Sequence, residues 1–285
     1  MWGAVARVPY GALLPWSFWQ RLTPFSSGRG SCDSCVIGNG IPRSGTYLVN
    51  NILRTIGGWE NIGVHVNPRM WDTWQRDRRV TVHPCLARFA IKKLRNGQVI
   101  GAHLPWSEAL EQVMGQASPD RCIKHVFIHR DPRDTFVSYL NWVTYSPDFL
   151  TTAGGREFRK FMLEQFDDDD QRLSHIIRQP QHSHSVYLSY EPWLRSPRCL
   201  AIKFEDLYPE VADLQHSVVG PVLEGLFRYL EIDPDRIDLR DLNREVYGQS
   251  VTVIGRYRQV FKDQHYAYLD NPEFKHTLRA FSYEN

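Results

Sequence analysis

The chain runs to 285 residues, 42% of them apolar and 13% aromatic, which is enough to bury a substantial core. A formal net charge of only +2, with no basic run interleaved with aromatics, argues against general nucleic-acid binding. Five cysteines, an odd set with no clear signal peptide, argue against a disulfide-stapled scaffold and imply a reducing compartment, expected to be cytoplasmic. Alternating strand-like and helix-like runs without internal repeats imply one α/β domain.

Residues 1–31 read as an N-terminal aromatic arm and linker, and residues 32–285 as the domain proper. The arm carries Trp2, Tyr10, Trp16, Phe18 and Trp19, but Pro9, Pro15 and Pro24 interrupt it, so its apolar stretch is too short to span a bilayer. Packing on the domain is the favoured expectation; peripheral membrane contact through these aromatics with Arg7 and Arg21 is the alternative. Ser26-Ser27-Gly28-Arg29-Gly30-Ser31 has linker composition. Cys32-x-x-Cys35 has no second Cys or His pair at ligand spacing, so no metal site is expected there.

The next unit spells strand, tight loop, helix. Cys35-Val36-Ile37-Gly38 is a short apolar run, Asn39-Gly40-Ile41-Pro42-Arg43-Ser44-Gly45-Thr46 is rich in Gly and Pro, and Leu48–Arg54 is amphipathic. Amides at such a helix start have no partner within the helix and attract an anion. Gly40-x4-Gly45 is followed by Thr46-Tyr47 instead of Lys and Ser or Thr, which disfavours ordinary ATP or GTP hydrolysis. Arg43 still offers forked donors to a phosphate or sulfate oxygen. Taken alone, the loop also fits a simple turn.

Trp71 and Trp74, near Arg76, Arg78 and Arg79, read as helix packing, with an acceptor pocket as the alternative. Val99-Ile100 then leads to His103-Leu104-Pro105, where a strand ends and a loop begins. An imidazole titrates near neutral pH, so His103 is the best-placed proton acceptor. His182 and His184 sit in a polar loop, and His65 and His83 read as structural. Ile123–Ile128 is a second β-type run, stopping at His129-Arg130-Asp131-Pro132 and followed by a helical stretch that Asp134 is placed to cap. Arg130 at the strand end and Ser138 one turn into the helix form a second anion cradle. Tyr145, Phe149 and Tyr190 are further acceptor-pocket candidates. Asp167–Asp170 read as a solvated helix face or loop.

Several short motifs resemble those of one family. Pro42-Arg43-Ser44-Gly45-Thr46 resembles the 5′-phosphosulfate loop of sulfotransferases that use 3′-phosphoadenosine-5′-phosphosulfate (PAPS). Arg130-Asp131-Pro132-Arg133-Asp134 with Ser138-Tyr139 is similar to their 3′-phosphate element, and His103-Leu104-Pro105 to the segment bearing their catalytic histidine. Leu200–Leu207 is similar to their later strand ending in Glu-Asp-Leu, and Gly255–Phe261 can be laid on their Gly-x-Trp-Lys-x-x-Phe ending. Two departures stand out. Tyr47-Leu48 replaces the Thr-Trp of cytosolic relatives, which displaces the aromatic near the adenine, and Ser250-Val251-Thr252 replaces Arg-Lys-Gly, part of the 3′-phosphate clamp.

The resemblance implies a central, mainly parallel sheet flanked by helices, with a P-loop-like phosphosulfate loop. It implies sulfuryl transfer from PAPS to a hydroxyl or amine of a small-molecule, saccharide or lipid-linked acceptor, with no metal. His103 is the expected base and Arg43 the cation for the leaving oxygen. Donor binding falls to Arg43, Ser44, Gly45, Thr46, Tyr47, Arg130, Ser138 and Arg256, with Ser250 or Thr252 as alternatives to Arg256. An ATP-dependent P-loop kinase or other phosphotransferase, and a non-catalytic nucleotide-binding protein, are the competing readings.

Overall fold

The computed structural model describes residues 33–66, 91–92, 94–116, 122–151, 153–179, 184–214, 218–240, 242–243 and 253–284. The aromatic arm and linker, the Trp71–Arg79 segment, His83, His182 and residues 250–252 lie outside the described residues.

Five parallel strands form one sheet: β1 (Cys35–Gly40), β2 (Glu60–Val66), β3 (Gln98–Ala102), β4 (Ile123–His129) and β5 (Cys199–Lys203), in the order β2-β3-β1-β4-β5. A parallel sheet is covered on both faces, and the apolar residues of these strands alternate between two cores accordingly. Val36, Val99, Val126, Ile128 and Ile202 face one side. Ile37, Ile100, Ala102 and Phe127 face the other.

The helices are α1 (Thr46–Gly57), α2 (Glu108–Gly115), α3 (Pro132–Tyr145), α4 (Ala153–Gln165), α5 (Asp169–Ile177), α6 (His184–Leu188), α7 (Phe204–Asp213), α8 (Pro221–Leu230), α9 (Tyr257–Val260), α10 (Asp263–Leu269) and α11 (Pro272–Ala280). α1, α7 and α8 supply Val49, Ile52, Leu53, Leu207, Leu223 and Phe227 to the first core. α2, α3 and α5 supply Leu110, Phe136, Val137, Leu140 and Leu173 to the second. Among the described residues, no helix is long and apolar enough to cross a membrane.

The strand order fixes where a ligand can sit. From β1 the chain moves to one side of the sheet, toward β2 and β3, whereas from β4 it moves to the other, toward β5. β1 and β4 are neighbours, paired to Gly40↔Ile128 at their carboxyl ends. The loops leaving these two strands therefore diverge around a switch point, which is where open α/β sheets form their binding crevice.

Candidate functional site

The first loop bends so that α1 presents its amino end to the crevice. Gly45 caps the helix at φ 100 with no side-chain capping bond, and the first turn holds no acidic residue. Only glycine fits there: a Cβ would lie 2.4 Å from Phe204 Cδ2. Arg43 adopts φ 68, a left-handed conformation that a non-glycine residue holds at a cost of about 1–3 kcal/mol. Ser44, fully buried, holds the bend: its N–H donates to Ile41 O at 3.0 Å, and its Oγ lies 2.6 Å from Ile41 O and 2.9 Å from Ile128 O. With its amide used inside the turn, Ser44 buttresses the loop. The sequence places Ser44 among the expected donor-binding residues; here its amide is taken up inside the tight turn.

The second loop faces the first. Arg130 is 5% exposed; its Nη2 donates to Asp134 Oδ2 at 3.2 Å and to the Val253 carbonyl at 3.3 Å, and its guanidinium lies 4.6 Å from the centre of the Phe204 ring. The helix cap here is Asp131, which accepts from the Arg133 amide, rather than Asp134. Proline at the first helical position shifts the start by three residues. Asp134 instead accepts from the Gly255 and Tyr257 amides at 2.7 and 3.0 Å, seating the 253–257 segment beside Arg130. Glu205 accepts from the Asp131 amide at 3.0 Å and from Tyr283 Oη at 2.7 Å, and burial raises its carboxyl pKa.

The two cradles touch. Arg43 Nε donates to Ser138 Oγ at 3.3 Å and its guanidinium lies 5.2 Å from the Trp142 ring centre. Burial lowers the Arg43 pKa, Tyr47 counteracts this, and the nearby Arg130 charge lowers it further. An arginine stays ionised through such shifts. The two arginine cations thus lie close together, with Asp134 paired to Arg130 and the Glu205 carboxyl also near it.

Two buried donors on these elements have no protein partner: Thr46 Oγ1, at the start of α1 beside Gly40, and Arg130 Nε. Buried polar groups are almost always satisfied, so a hydroxyl and a guanidinium N–H left open on facing loops fit an anionic group with oxygens at both places. The donor set therefore suits an anionic group such as a phosphate or sulfate.

His103 immediately follows β3. Its Nδ1 lies 2.7 Å from the Gly40 carbonyl, and its amide donates to Val66 O at 2.9 Å. A carbonyl only accepts, so the neutral ring carries its proton on Nδ1 and its lone pair on Nε2. That is the tautomer a general base requires.

The remaining candidates divide. Tyr47 stands on the first turn of α1 and is 74% exposed. Arg256 is exposed at the amino end of α9. Phe149 and Tyr190 are buried in the core, and exposed Tyr145 donates to Asp169 Oδ2. Asp168 caps α5, Asp169 pairs with Arg172 at 2.9 Å and Asp170 pairs with Lys262, so the acidic run builds a helix start and its surface pairs. Sequence reasoning missed Asn39, Trp142 and Phe204. A lone Asn inside an apolar strand was a visible signal for the first; the other two depend on contacts between distant elements.

No protein-family model matches the chain, and no curated protein matches it in sequence. Solved structures do. The mouse sulfotransferase SULT7A1, complexed with 3′-phosphoadenosine 5′-phosphate (PAP), superposes with a TM-score of 0.50 at 14% identity, covering 87% of this chain and 85% of that one. Retinol dehydratase with androsterone and PAP gives 0.44 at 11% identity, covering 93% and 86%. The same enzyme with retinol and PAP gives 0.42 at 11%, covering 92% and 86%. With its parallel five-stranded sheet and the tight turn between β1 and α1, the chain has the fold of that mouse sulfotransferase.

Proposed function

We propose that the protein is a sulfotransferase that moves the sulfuryl group of PAPS to a hydroxyl or amine of a small-molecule, saccharide or lipid-linked acceptor. The observation that carries this reading is the pair of partnerless buried donors, Thr46 Oγ1 and Arg130 Nε, on the two loops of one switch point. One loop faces the 5′ end of the donor nucleotide and the other its 3′-phosphate, which ATP lacks.

In this scheme the amides of Gly45 and Thr46 and the Thr46 hydroxyl hold the 5′-phosphate and sulfate oxygens. Arg130, with Ser138, holds the 3′-phosphate; Arg256 and Tyr47, both exposed, are assigned to the remainder of the nucleotide. The acceptor oxygen or nitrogen attacks sulfur in line with the leaving phosphate. Its proton passes to His103 Nε2 as the new bond to sulfur forms and the bond from sulfur to the bridging oxygen breaks. Arg43 stabilises the charge that builds on that oxygen, and PAP departs. Among the described residues, no group of three His, Cys, Asp or Glu side chains is arranged to hold a metal ion. The scheme assigns no step to one.

A thermal-shift comparison of PAP, ADP and ATP with magnesium tests the proposal. PAP at about a hundred times its Kd stabilises a protein by about 2.7 kcal/mol, roughly 4–5 °C at this chain length. ADP and ATP are expected to give far less, and labelled PAPS should pass its sulfate to acceptors with EDTA present. Stabilisation by ATP and magnesium above that by PAP, with phosphate transfer, would establish the phosphotransferase reading instead.

A further inference from the structure

The last register pair between β1 and β3 is Asn39↔Ala102. Beyond it the strands part, one into the anion loop and the other into His103. A buried carboxamide spans the gap. Asn39 is fully buried; its Oδ1 accepts from the Gly40 amide at 2.9 Å and the Leu104 amide at 2.7 Å, and its Nδ2 donates to the Leu104 carbonyl at 3.0 Å. By pairing with both backbone groups of Leu104 it does what the next strand residue would have done, and so extends the ladder past the residue that carries the imidazole.

The circuit closes on the base itself. Gly40, whose amide Asn39 holds, offers its carbonyl to His103 Nδ1 at 2.7 Å. The peptides on both sides of the imidazole are also fixed, by Val66 O to the His103 amide and by Asn39 to Leu104. Gly40 is itself held in the sheet, paired with Ile128 of β4, so its carbonyl has a fixed place.

We propose that Asn39 is a positioning residue for sulfuryl transfer, fixing His103 against the anion loop and holding its ring in the tautomer with the proton on Nδ1. The inference rests on His103 being the base in the function proposed above. A role in the loop alone does not account for the geometry: Ser44 independently ties the loop to Ile41 O and Ile128 O, and Trp193 Nε1 independently donates to Leu104 O at 2.9 Å. What Asn39 adds is the link between the loop and the base.

The test compares Asn39→Ala and Asn39→Asp with the parent protein in PAP titration, sulfate transfer from PAPS, and nitrogen NMR of the His103 ring, whose signals are identified by their loss in His103→Ala. Asn39→Ala is expected to keep the Kd for PAP within about threefold while kcat falls on the order of a hundredfold, and to mix the two ring tautomers. Asn39→Asp retains an acceptor for the Gly40 and Leu104 amides and should recover part of the loss; it also carries the test alone if the alanine variant does not fold. Unchanged kcat and tautomer in either folded variant would overturn the proposal, as would a PAP affinity that falls in step with kcat. Failure of the underlying function is a separate result: a parent protein that transfers no sulfate, or a His103→Ala variant that transfers it at the full rate.

Discussion

Thr46→Val separates a ligand-binding hydroxyl from a structural one by the sign of its effect. The side chain is 3% exposed and its Oγ1 has no protein partner, so in the unliganded protein it is a buried donor left open. Such a group costs about 1–3 kcal/mol, and valine removes it while keeping nearly the same shape. A water in the crevice reduces that cost, so the unliganded variant should be unchanged to about 3 kcal/mol more stable, a rise in Tm of up to roughly 5 °C. PAP binding should move the opposite way. A hydrogen bond to a charged group contributes about 1.5–3 kcal/mol, so its loss weakens Kd by about ten- to more than a hundredfold. Differential scanning fluorimetry without ligand and calorimetric titration with PAP read the two effects separately. A lower Tm with unchanged Kd would show that the hydroxyl serves the fold and that the anion site is misassigned.

Gly45→Ala attacks the same loop sterically. At φ 100, with Phe204 Cδ2 2.4 Å from the new methyl, strain and overpacking together should cost about 2–5 kcal/mol of stability. Because Phe204 carries the Arg130 guanidinium, PAP affinity should fall as well; a folded variant with unaltered PAP affinity would contradict that coupling. Acid should destabilise the protein through two neutral histidines. Burial pushes His125 and His129 down to about 3, with Lys203 adding to the shift at His129, against 6.5 for the free side chain. The unfolded chain binds these protons first, so the stability present above pH 6.5 is lost as pH falls toward 3, at about 1.4 kcal/mol per pH unit for each ring. His125→Phe, against Trp193, should remove one such slope from urea midpoints measured between about pH 4 and 7. Glu205, raised by burial, works in the opposite sense in both proteins, so the comparison between them isolates His125.

Both strand–loop–helix units were legible because each combines a buried apolar run with turn residues and an amphipathic or capped continuation, all local signals. Their limits were less so. β1 runs to Gly40 rather than Gly38 because the Asn39 side chain finds its partners inside the fold, making a polar residue acceptable in a buried strand. Asp134 looked like a cap because its spacing suited one, yet its partners, Gly255 and Tyr257, lie more than 120 residues away. The same distance hides Phe204, which packs beneath Gly45 and Arg130 only after β5 takes its place beside β4. Single-residue chemistry was readable; which residues meet was a property of strand order.

That order also explains why strain can persist in the first loop. Arg43 holds a left-handed backbone, which the chain would relax were the loop free to move. It is not free: Ser44 fastens it to Ile128 O on the neighbouring strand, and Phe204 fills the space beneath Gly45. The same anchors bring the Arg43 guanidinium to Ser138, and so near Arg130, despite the repulsion between the two cations. A fold that keeps like charges together has met the cost of bringing them there during folding, so the field between the two loops is already in place. Backbone strain, paired arginines and open donors are thus three consequences of one arrangement, the divergence of β1 and β4 around their shared switch point.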